Sequence, residues 1–270
     1  MAMNIDKTVV VAISLLFTVL PLSAQDWAKQ SLEKSPRHQE WVKLKNGNRT
    51  VEAFVVYPEV KGKAPVVVVI HEIFGLTDWA RSVADQLAAA GYIAIAPDLL
   101  SGLGPKGGGS SELTGSDATR AVSGLDPDTV TGDLNAAADY GKKLPSANGT
   151  IAVAGFCWGG GQAFRFATNR KDLSAAFVFY GQAPKEVATI AAPVYGFYAA
   201  NDARITSTVP DTTAAMKAAG KKYEPVTYEG AGHGFMRMGQ DPGGTEPNHE
   251  ANKKARAEAW ERWLALLKGM

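Results

Sequence analysis

Short apolar runs alternate with amphipathic segments along most of the chain. Residues 65–70 read PVVVVI, an unbroken apolar run that is typical of a parallel strand covered on both faces. Residues 77–90 place apolar side chains at helical spacing, and Gly91 follows as a residue suited to end a helix. Strands that alternate with helices in this way predict an α/β fold, with a mainly parallel sheet and helices on both faces.

The same patterns predict the other elements and one antiparallel edge. Asn46-Gly47 lies between two strand-like segments and indicates a tight hairpin turn, so we expect antiparallel strands at one edge of the sheet. Residues 101–129 are long and glycine-rich and are predicted to be a loop that forms one wall of a pocket. The predicted strands are residues 41–44, 50–57, 65–70, 92–96, 150–154, 175–180, 193–199 and 223–228, and the predicted helices are residues 77–90, 128–144, 159–168, 212–219 and 250–267.

Residues 1–24 have the pattern of a secretory signal peptide. A lysine at position 7 precedes the apolar run at residues 8–22, and Ser23-Ala24 follows it. The run is about 15 residues long, whereas a membrane-spanning helix needs roughly 20. Leu22 is larger than the residue usual three positions before a cleavage site, so a retained membrane anchor is the alternative to cleavage after Ala24. We expect a periplasmic or secreted protein in which residues 25–270 form a single domain.

Composition narrows the classes of partner. The 270 residues are 46% hydrophobic and 20% charged, as in an ordinary globular protein, and the formal net charge is +1. No basic stripe occurs, so we expect no nucleic-acid binding. The histidines and the single cysteine have no metal-ligand spacing, and we expect neither a metal nor a cofactor. We expect a monomer without stable membrane insertion once the signal is removed.

A nucleophile motif lies where a predicted strand turns directly into a predicted helix. Gly155-Phe156-Cys157-Trp158-Gly159 fits the pattern G-x-nucleophile-x-G, with Cys in the position usually held by Ser. The two outer glycines are needed because the strand and helix backbones pass close together at this turn. The helix N-terminus favours a thiolate, and a backbone N–H there points toward an oxyanion. We predict that Cys157 is a nucleophile, and the alternative is a buried structural cysteine.

A cysteine nucleophile requires a base and a third group that orients the base. In this kind of sheet the chain order is nucleophile, acid, histidine. His233 follows a predicted strand between two glycines and is the predicted base, whereas His249 opens a charged surface helix. Asp202 follows the preceding strand and is the predicted acid, whereas Asp211 is expected to be the N-cap of a helix.

The segment His71-Glu72-Ile73-Phe74-Gly75 follows the apolar strand at residues 65–70. The loop after this strand supplies the second oxyanion donor in such a sheet, so the backbone amides of Ile73 and Trp158 are the predicted pair. Glu72 is unusual here because a carboxylate near a thiol opposes formation of the thiolate and can accept its hydrogen bond.

Four motifs in combination, HEIFGL, GFCWGGG, AANDARI and GAGHGF, resemble the dienelactone hydrolases, and the resemblance extends from about Trp41 to the C-terminus. It implies an α/β-hydrolase fold and a triad of Cys157, Asp202 and His233. It also implies that Glu72 holds the resting thiol and releases it when substrate binds.

The resemblance further implies that arginines bind a carboxylate of the substrate. Arg237, four residues after His233, matches one of them, whereas Gly102 stands where the other is expected. The leading interpretation is a cysteine-dependent hydrolase of small ester or lactone substrates. The alternatives are a broad short-chain or aryl esterase with the same triad, and a non-hydrolytic thiol redox sensor or binding protein.

Overall fold

The computed structural model of the protein describes residues 26–270. The predicted signal peptide at residues 1–24 lies outside the described residues. Within residues 26–270, no helix is both long enough and apolar enough to cross a membrane.

One eight-stranded sheet organises the described residues, with the strand order β1-β2-β4-β3-β5-β6-β7-β8. β1 and β2 form the predicted antiparallel hairpin, and β2 is also antiparallel to β4. All other neighbouring strands are parallel. The strands are β1 (Gln39–Asn46), β2 (Arg49–Val56), β3 (Ala64–Ile70), β4 (Ile93–Pro97), β5 (Ala147–Phe156), β6 (Ala175–Phe179), β7 (Val194–Ala199) and β8 (Tyr223–Tyr228).

Helices lie on both faces of this sheet, as predicted. They are α1 (Asp26–Glu33), α2 (Asp78–Ala89), α3 (Gly115–Ser123), α4 (Pro127–Lys143), α5 (Trp158–Asn169), α6 (Ala203–Thr206), α7 (Val209–Ala218), α8 (Phe235–Met238) and α9 (His249–Lys268). The long predicted helices occur within a few residues of their expected bounds. Four helices were not predicted: α1, α3, α6 and α8.

Two predictions need correction. Residues 101–129 are not a plain loop, because they contain a 3-10 helix at Ser110–Glu112, the helix α3 and the beginning of α4. Asp211 is not an N-cap. A proline in the first turn starts α7 earlier than expected, so Thr208 occupies the N-cap position and Asp211 lies within the first turn.

The β3 strand is apolar throughout because it separates two cores. Val67 and Val69 face the layer that contains Trp79 and Trp263, whereas Val66 and Val68 face the opposite layer. All four valines are fully buried. Burial on both faces explains the unbroken apolar run in the sequence.

The strand order places a crevice at the carboxyl end of β3. β3 lies between β4 and β5 in the sheet. The next strand along the chain, β4, is added on one side of β3, and the following strand, β5, is added on the other side. Ligands of open α/β sheets bind at such a reversal of strand order, beyond the carboxyl ends of the strands. Four of the predicted site residues follow strands at this edge: Glu72 follows β3, Cys157 follows β5, Asp202 follows β7 and His233 follows β8.

Candidate active site

The Cys157 backbone adopts a left-handed conformation, with φ 56° and ψ −119°, between the end of β5 and the first turn of α5. Such a conformation is costly for a residue with a Cβ and is characteristic of functional turns. A Cβ added to Gly155 would lie 1.9 Å from the carbonyl oxygen of Gly159, and one added to Gly159 would lie 2.3 Å from that of His71. Both positions therefore require glycine, as the motif predicts.

Three of the predicted residues form a hydrogen-bonded chain. The Nε2 atom of His233 lies 3.1 Å from the Cys157 sulfur, and its Nδ1 atom lies 2.5 Å from Oδ2 of Asp202. Asp202 is buried, whereas the sulfur and the imidazole are half-buried. Because a carboxylate only accepts hydrogen bonds, Nδ1 carries a proton and donates it to Asp202. Nε2 is then available to accept the proton of the thiol.

The rival residues His249 and Asp211 lie outside this hydrogen-bonded chain. His249 lies at the beginning of α9, with Nδ1 3.2 Å from Oε1 of Glu246. Asp211 is exposed in the first turn of α7. Neither side chain is hydrogen-bonded to the Cys157 chain of residues.

Burial and hydrogen bonding shift the pKa of His233 in opposite directions. Burial lowers the pKa of the imidazole, whereas the hydrogen bonds to Cys157 and Asp202 raise it, and the result is a pKa of about 8. A base with a pKa close to the operating pH is well matched to proton transfer.

The predicted oxyanion donors lie on either side of the sulfur's turn. Trp158 is the first residue of α5, so its amide has no acceptor within the helix. Ile73 lies in the turn closed by the hydrogen bond from Gly75 N–H to Glu72 O. Among the described residues, no backbone carbonyl accepts a hydrogen bond from either amide. Both residues also pack against the small apolar cluster formed by Leu100 and two α3 side chains.

His71 contacts both segments that carry the predicted oxyanion donors, and it was not predicted to belong to the site. Its ring is fully buried, and Nδ1–H donates a 2.7 Å hydrogen bond to the carbonyl of Glu72. The ring also stacks on Trp158, with the centroids 5.6 Å apart. Burial lowers the pKa of His71, although the nearby charge of Asp98 raises it. The lowered pKa keeps the ring neutral. Its position directly after the apolar strand was the available signal in the sequence.

Glu72 and Arg237 do not have the separate contacts that the resemblance implied. Arg237 Nε donates a 2.7 Å hydrogen bond to Oε2 of Glu72, whose side chain is only 4% exposed. The hydrogen-bond partner of the Cys157 sulfur is His233. The guanidinium is a full cation and a stronger partner for a carboxylate than a neutral thiol is, which explains why Glu72 pairs with Arg237 rather than with the thiol.

Tyr180 completes the floor of the site and was also missed. It follows β6 with φ 39°, and its buried ring contacts the His233 ring edge-on at 5.0 Å. Its hydroxyl lies 3.4 Å from Oε1 of Glu72. Burial, reinforced by the Glu72 charge, raises the pKa of Tyr180 well above its ordinary value, so the hydroxyl stays protonated and donates to Glu72.

Three further expectations concern Gly102, the segment of residues 101–129 and metal binding. Gly102 is exposed with φ 80°, and a Cβ built there meets open space, so nothing replaces the missing arginine at that position. Within residues 101–129, Ala118 and Val122 of α3 are buried and belong to the apolar cluster against which Ile73 and Trp158 pack. Among residues 26–270, no group of three or more metal-ligating acidic, histidine or cysteine side chains occurs.

The sheet topology and the strained turn after β5 define an α/β-hydrolase fold. The chain belongs to the dienelactone hydrolase family and is a hydrolase: the profile described as "Dienelactone hydrolase family" matches residues 51–270.

Two curated relatives are both named "Putative carboxymethylenebutenolidase". The relative from Salmonella typhi is 34% identical over 220 residues, which cover 75% of this chain and 76% of that protein. The relative from Saccharolobus solfataricus is 29% identical over 251 residues, covering 81% and 93%.

A solved structure shows the same likeness. The crystal structure titled as a "Putative Dienelactone Hydrolase" from Klebsiella pneumoniae superimposes with a TM-score of 0.74 at 26% sequence identity. The match covers 87% of this chain and 99% of that one, so the two proteins share most of their fold.

Proposed function

We propose that the protein is a cysteine-dependent hydrolase of ester and lactone bonds, acting as a monomer on small molecules through Cys157, His233 and Asp202. The observation that carries this proposal is the hydrogen-bonded chain from Asp202 through His233 to the Cys157 sulfur. Membership of a hydrolase family supports it.

Acylation begins when His233 Nε2 takes the Cys157 proton and the sulfur attacks the acyl carbon. The carbonyl oxygen becomes an oxyanion, which accepts hydrogen bonds from the amides of Ile73 and Trp158. The C–O bond to the alcohol then breaks, and the alcohol leaves with the proton held on Nε2. The acyl group remains on Cys157 as a thioester.

Deacylation repeats these steps with water. His233 takes a proton from water, and the resulting hydroxide attacks the thioester carbon. The C–S bond breaks, and the sulfur recovers the proton from His233, so Cys157 and His233 regain their starting states. Asp202 keeps its charge throughout and stabilises the imidazolium that forms in each half-reaction.

The ion pair between Glu72 and Arg237 bears on the substrate. The relatives' name refers to a butenolide, which is a lactone, with a carboxymethylene group. A carboxylate on the substrate would compete with Glu72 for the guanidinium of Arg237. Of the two positions where the family has arginines, only Arg237 is a cation and Gly102 is not, so uncharged esters are also within the proposed range.

The decisive experiment measures the hydrolysis of p-nitrophenyl acetate by the wild type and by Cys157→Ala, with His249→Ala as the matched control. We expect Cys157→Ala to lower kcat by at least about a thousandfold, as removal of a triad nucleophile does elsewhere. We expect His249→Ala to retain the rate. Intact-protein mass spectrometry of the quenched wild type should show an acetyl adduct that is absent from Cys157→Ala.

The outcomes separate the alternatives. Turnover that persists in Cys157→Ala without an adduct would contradict the proposal. No turnover, combined with reversible oxidation of Cys157, would identify a redox sensor instead. A panel of anionic lactones and neutral esters on wild type and Arg237→Ala distinguishes the family substrate class from a broad esterase, because only anionic substrates should lose affinity in the variant.

We also propose that the enzyme is exported to the periplasm or secreted after removal of residues 1–24. The charged start, the apolar run at residues 8–22 and the small residues that follow support this. N-terminal sequencing of the mature protein from a cell fraction tests it, and a mature chain that retains residues 8–22 would contradict it.

A further inference from the structure

A buried carboxylate outside the triad is connected by hydrogen bonds to the turn that carries Ile73. Asp98 follows β4 and is only 5% exposed. Its carboxylate accepts three hydrogen bonds, from Leu100 N–H at 3.0 Å, from Ser110 N–H at 2.7 Å and from the Ser110 hydroxyl at 2.6 Å. The reaction described above gives neither Asp98 nor Ser110 a role.

The Ser110 hydroxyl also contacts the segment that follows β3. Leu76 N–H donates a 2.8 Å hydrogen bond to Ser110 Oγ, and this contact is buried. A hydroxyl has one proton to donate, whereas a backbone N–H can only donate. The proton of Ser110 is therefore directed toward Asp98, and a lone pair of its oxygen is directed toward Leu76. The three groups form a chain that has a single possible direction.

The turn that carries Ile73 is held at both ends. At its beginning, the His71 ring donates to the Glu72 carbonyl. Just after its end, the Leu76 amide is bound by the Ser110 hydroxyl. Among the described residues, no backbone carbonyl accepts a hydrogen bond from the Ile73 amide, which lies between these two contacts. The position of this amide therefore depends on how its neighbours in the chain are held.

Ser110 approaches the backbone of the turn too closely to allow a side chain at position 75. A Cβ added to Gly75 would lie 2.5 Å from Ser110 Oγ and 3.0 Å from Ser110 Cβ. The backbone at Gly75 also has φ 79°, a conformation that favours glycine. The residue type at position 75 thus permits direct contact between the Ser110 hydroxyl and the turn.

Hydrogen bonds behind an oxyanion donor matter because the donor acts only over a narrow range of distances, roughly 2.7–3.1 Å from the developing oxyanion. Groups of this kind are held in place by the contacts of the residues around them. Without the Ser110 hydroxyl, the Leu76 N–H would be buried without an acceptor, which is costly. The turn would then shift, and the Ile73 amide would shift with it.

We propose that Asp98 and Ser110 are positioning residues for the oxyanion donor Ile73. The Asp98 carboxylate orients the Ser110 hydroxyl, and the hydroxyl fixes the end of the turn through Leu76 N–H. This inference rests on the proposed function and adds to it two residues that touch neither the substrate nor the triad.

The test compares wild type, Ser110→Ala, Asp98→Asn and the control Ser111→Ala. Ser111 is the exposed neighbour of the buried Ser110. Two quantities are measured, kcat/KM for p-nitrophenyl acetate and the inhibition constant of trifluoroacetone. The Cys157 sulfur adds to the carbonyl carbon of this ketone, the thiol proton passes to His233, and the carbonyl oxygen becomes an oxyanion. The adduct therefore reports on the same donors as the transition state does.

We expect Ser110→Ala to lower kcat/KM about five- to thirtyfold, less than the roughly hundredfold or greater cost of losing a whole donor. The inhibition constant should rise by a similar factor. Asp98→Asn should change both quantities in the same direction, and Ser111→Ala should change neither. A fall in kcat/KM of Ser110→Ala with an unchanged inhibition constant would indicate a merely structural role and overturn the proposal. Unchanged values of both quantities would overturn it as well.

Amide hydrogen exchange measured by NMR keeps the proposal testable if the kinetics cannot be read. If the wild type hydrolyses no ester, the proposed function fails, and exchange at Ile73 and Leu76 is compared between wild type and Ser110→Ala. Faster exchange in the variant supports the positioning of the turn, and equal exchange overturns it. If Ser110→Ala does not fold, exchange in the wild type decides. Slower exchange at Leu76 than at Ile73 supports the contact with Ser110, and equally fast exchange overturns it.

Discussion

Arg237 Nε and Glu72 Oε2 lie 2.7 Å apart, and this ion pair is formed at the edge of the candidate active site. Burial lowers the pKa of the Arg237 guanidinium, whereas the Glu72 carboxylate raises it. The second effect outweighs the first, so the pKa of Arg237 lies above its ordinary value. The two residues therefore act as one unit, and neither is free to bind thiol or substrate until the other is released.

Removal of Arg237 alone should destabilise the protein. Arg237→Ala leaves the Glu72 carboxylate buried without its cation, and a buried group deprived of its partner costs about 1–3 kcal/mol. We expect a lower free energy of unfolding in urea at pH 7. Adding Glu72→Gln to Arg237→Ala should recover part of the loss, because the amide carries no charge. Equal stability of Arg237→Ala and wild type would show that the pair does not form in solution.

The rate of ester hydrolysis should rise with pH through the titration of His233. The imidazole acts as a base only when neutral, and its pKa is about 8. We therefore expect kcat/KM for a neutral ester to have an acid limb near pH 8. Asp202→Asn removes the anion that raises this pKa, so the limb should move to lower pH while the maximum rate falls. A limb that stays in place would mean that His233 is not the group observed.

His71 should act as a positioning residue for the oxyanion donors. His71→Ala removes the hydrogen bond to the Glu72 carbonyl and the contact with Trp158, so we expect kcat to fall about tenfold or more, toward the loss of a whole oxyanion donor. KM and the pH of the acid limb should change little, since neither the triad nor the binding residues are altered. His71→Asn retains an N–H at a similar position and should recover part of kcat. A purely structural role would instead lower the melting temperature without this recovery.

Gly155 should not tolerate even a methyl group. The added Cβ of Gly155→Ala would lie 1.9 Å from a backbone oxygen of α5, so strand and helix must separate. We expect a loss of at least about 1–3 kcal/mol, the usual cost of overpacking. Gly62→Ala is the matched control, because nothing lies within 4 Å of its added Cβ. Thermal unfolding of the two variants measures the difference, and similar melting temperatures would contradict this account of the turn.

Most of the sheet and its strand-end residues could be predicted because each depends on a local pattern. The β3 run, the glycines around Cys157 and the strand preceding Asp202 all carry their signal within a few residues. The ion pair of Glu72 with Arg237 could not be predicted this way, since the two residues are 165 positions apart and meet only in the folded chain. The roles of His71 and Tyr180 were hidden for the same reason. Helix α3 was missed because glycine and serine dominate the sequence around it.

The left-handed backbone at Cys157 has a consequence for evolution as well as for chemistry. Such a conformation costs about 1–3 kcal/mol for any residue with a Cβ, whatever its side chain does, and glycine relieves most of this. Cys157→Gly should therefore melt at a higher temperature than the wild type. Selection for thermal stability alone would favour glycine at this position. Retention of the cysteine therefore costs the protein some stability.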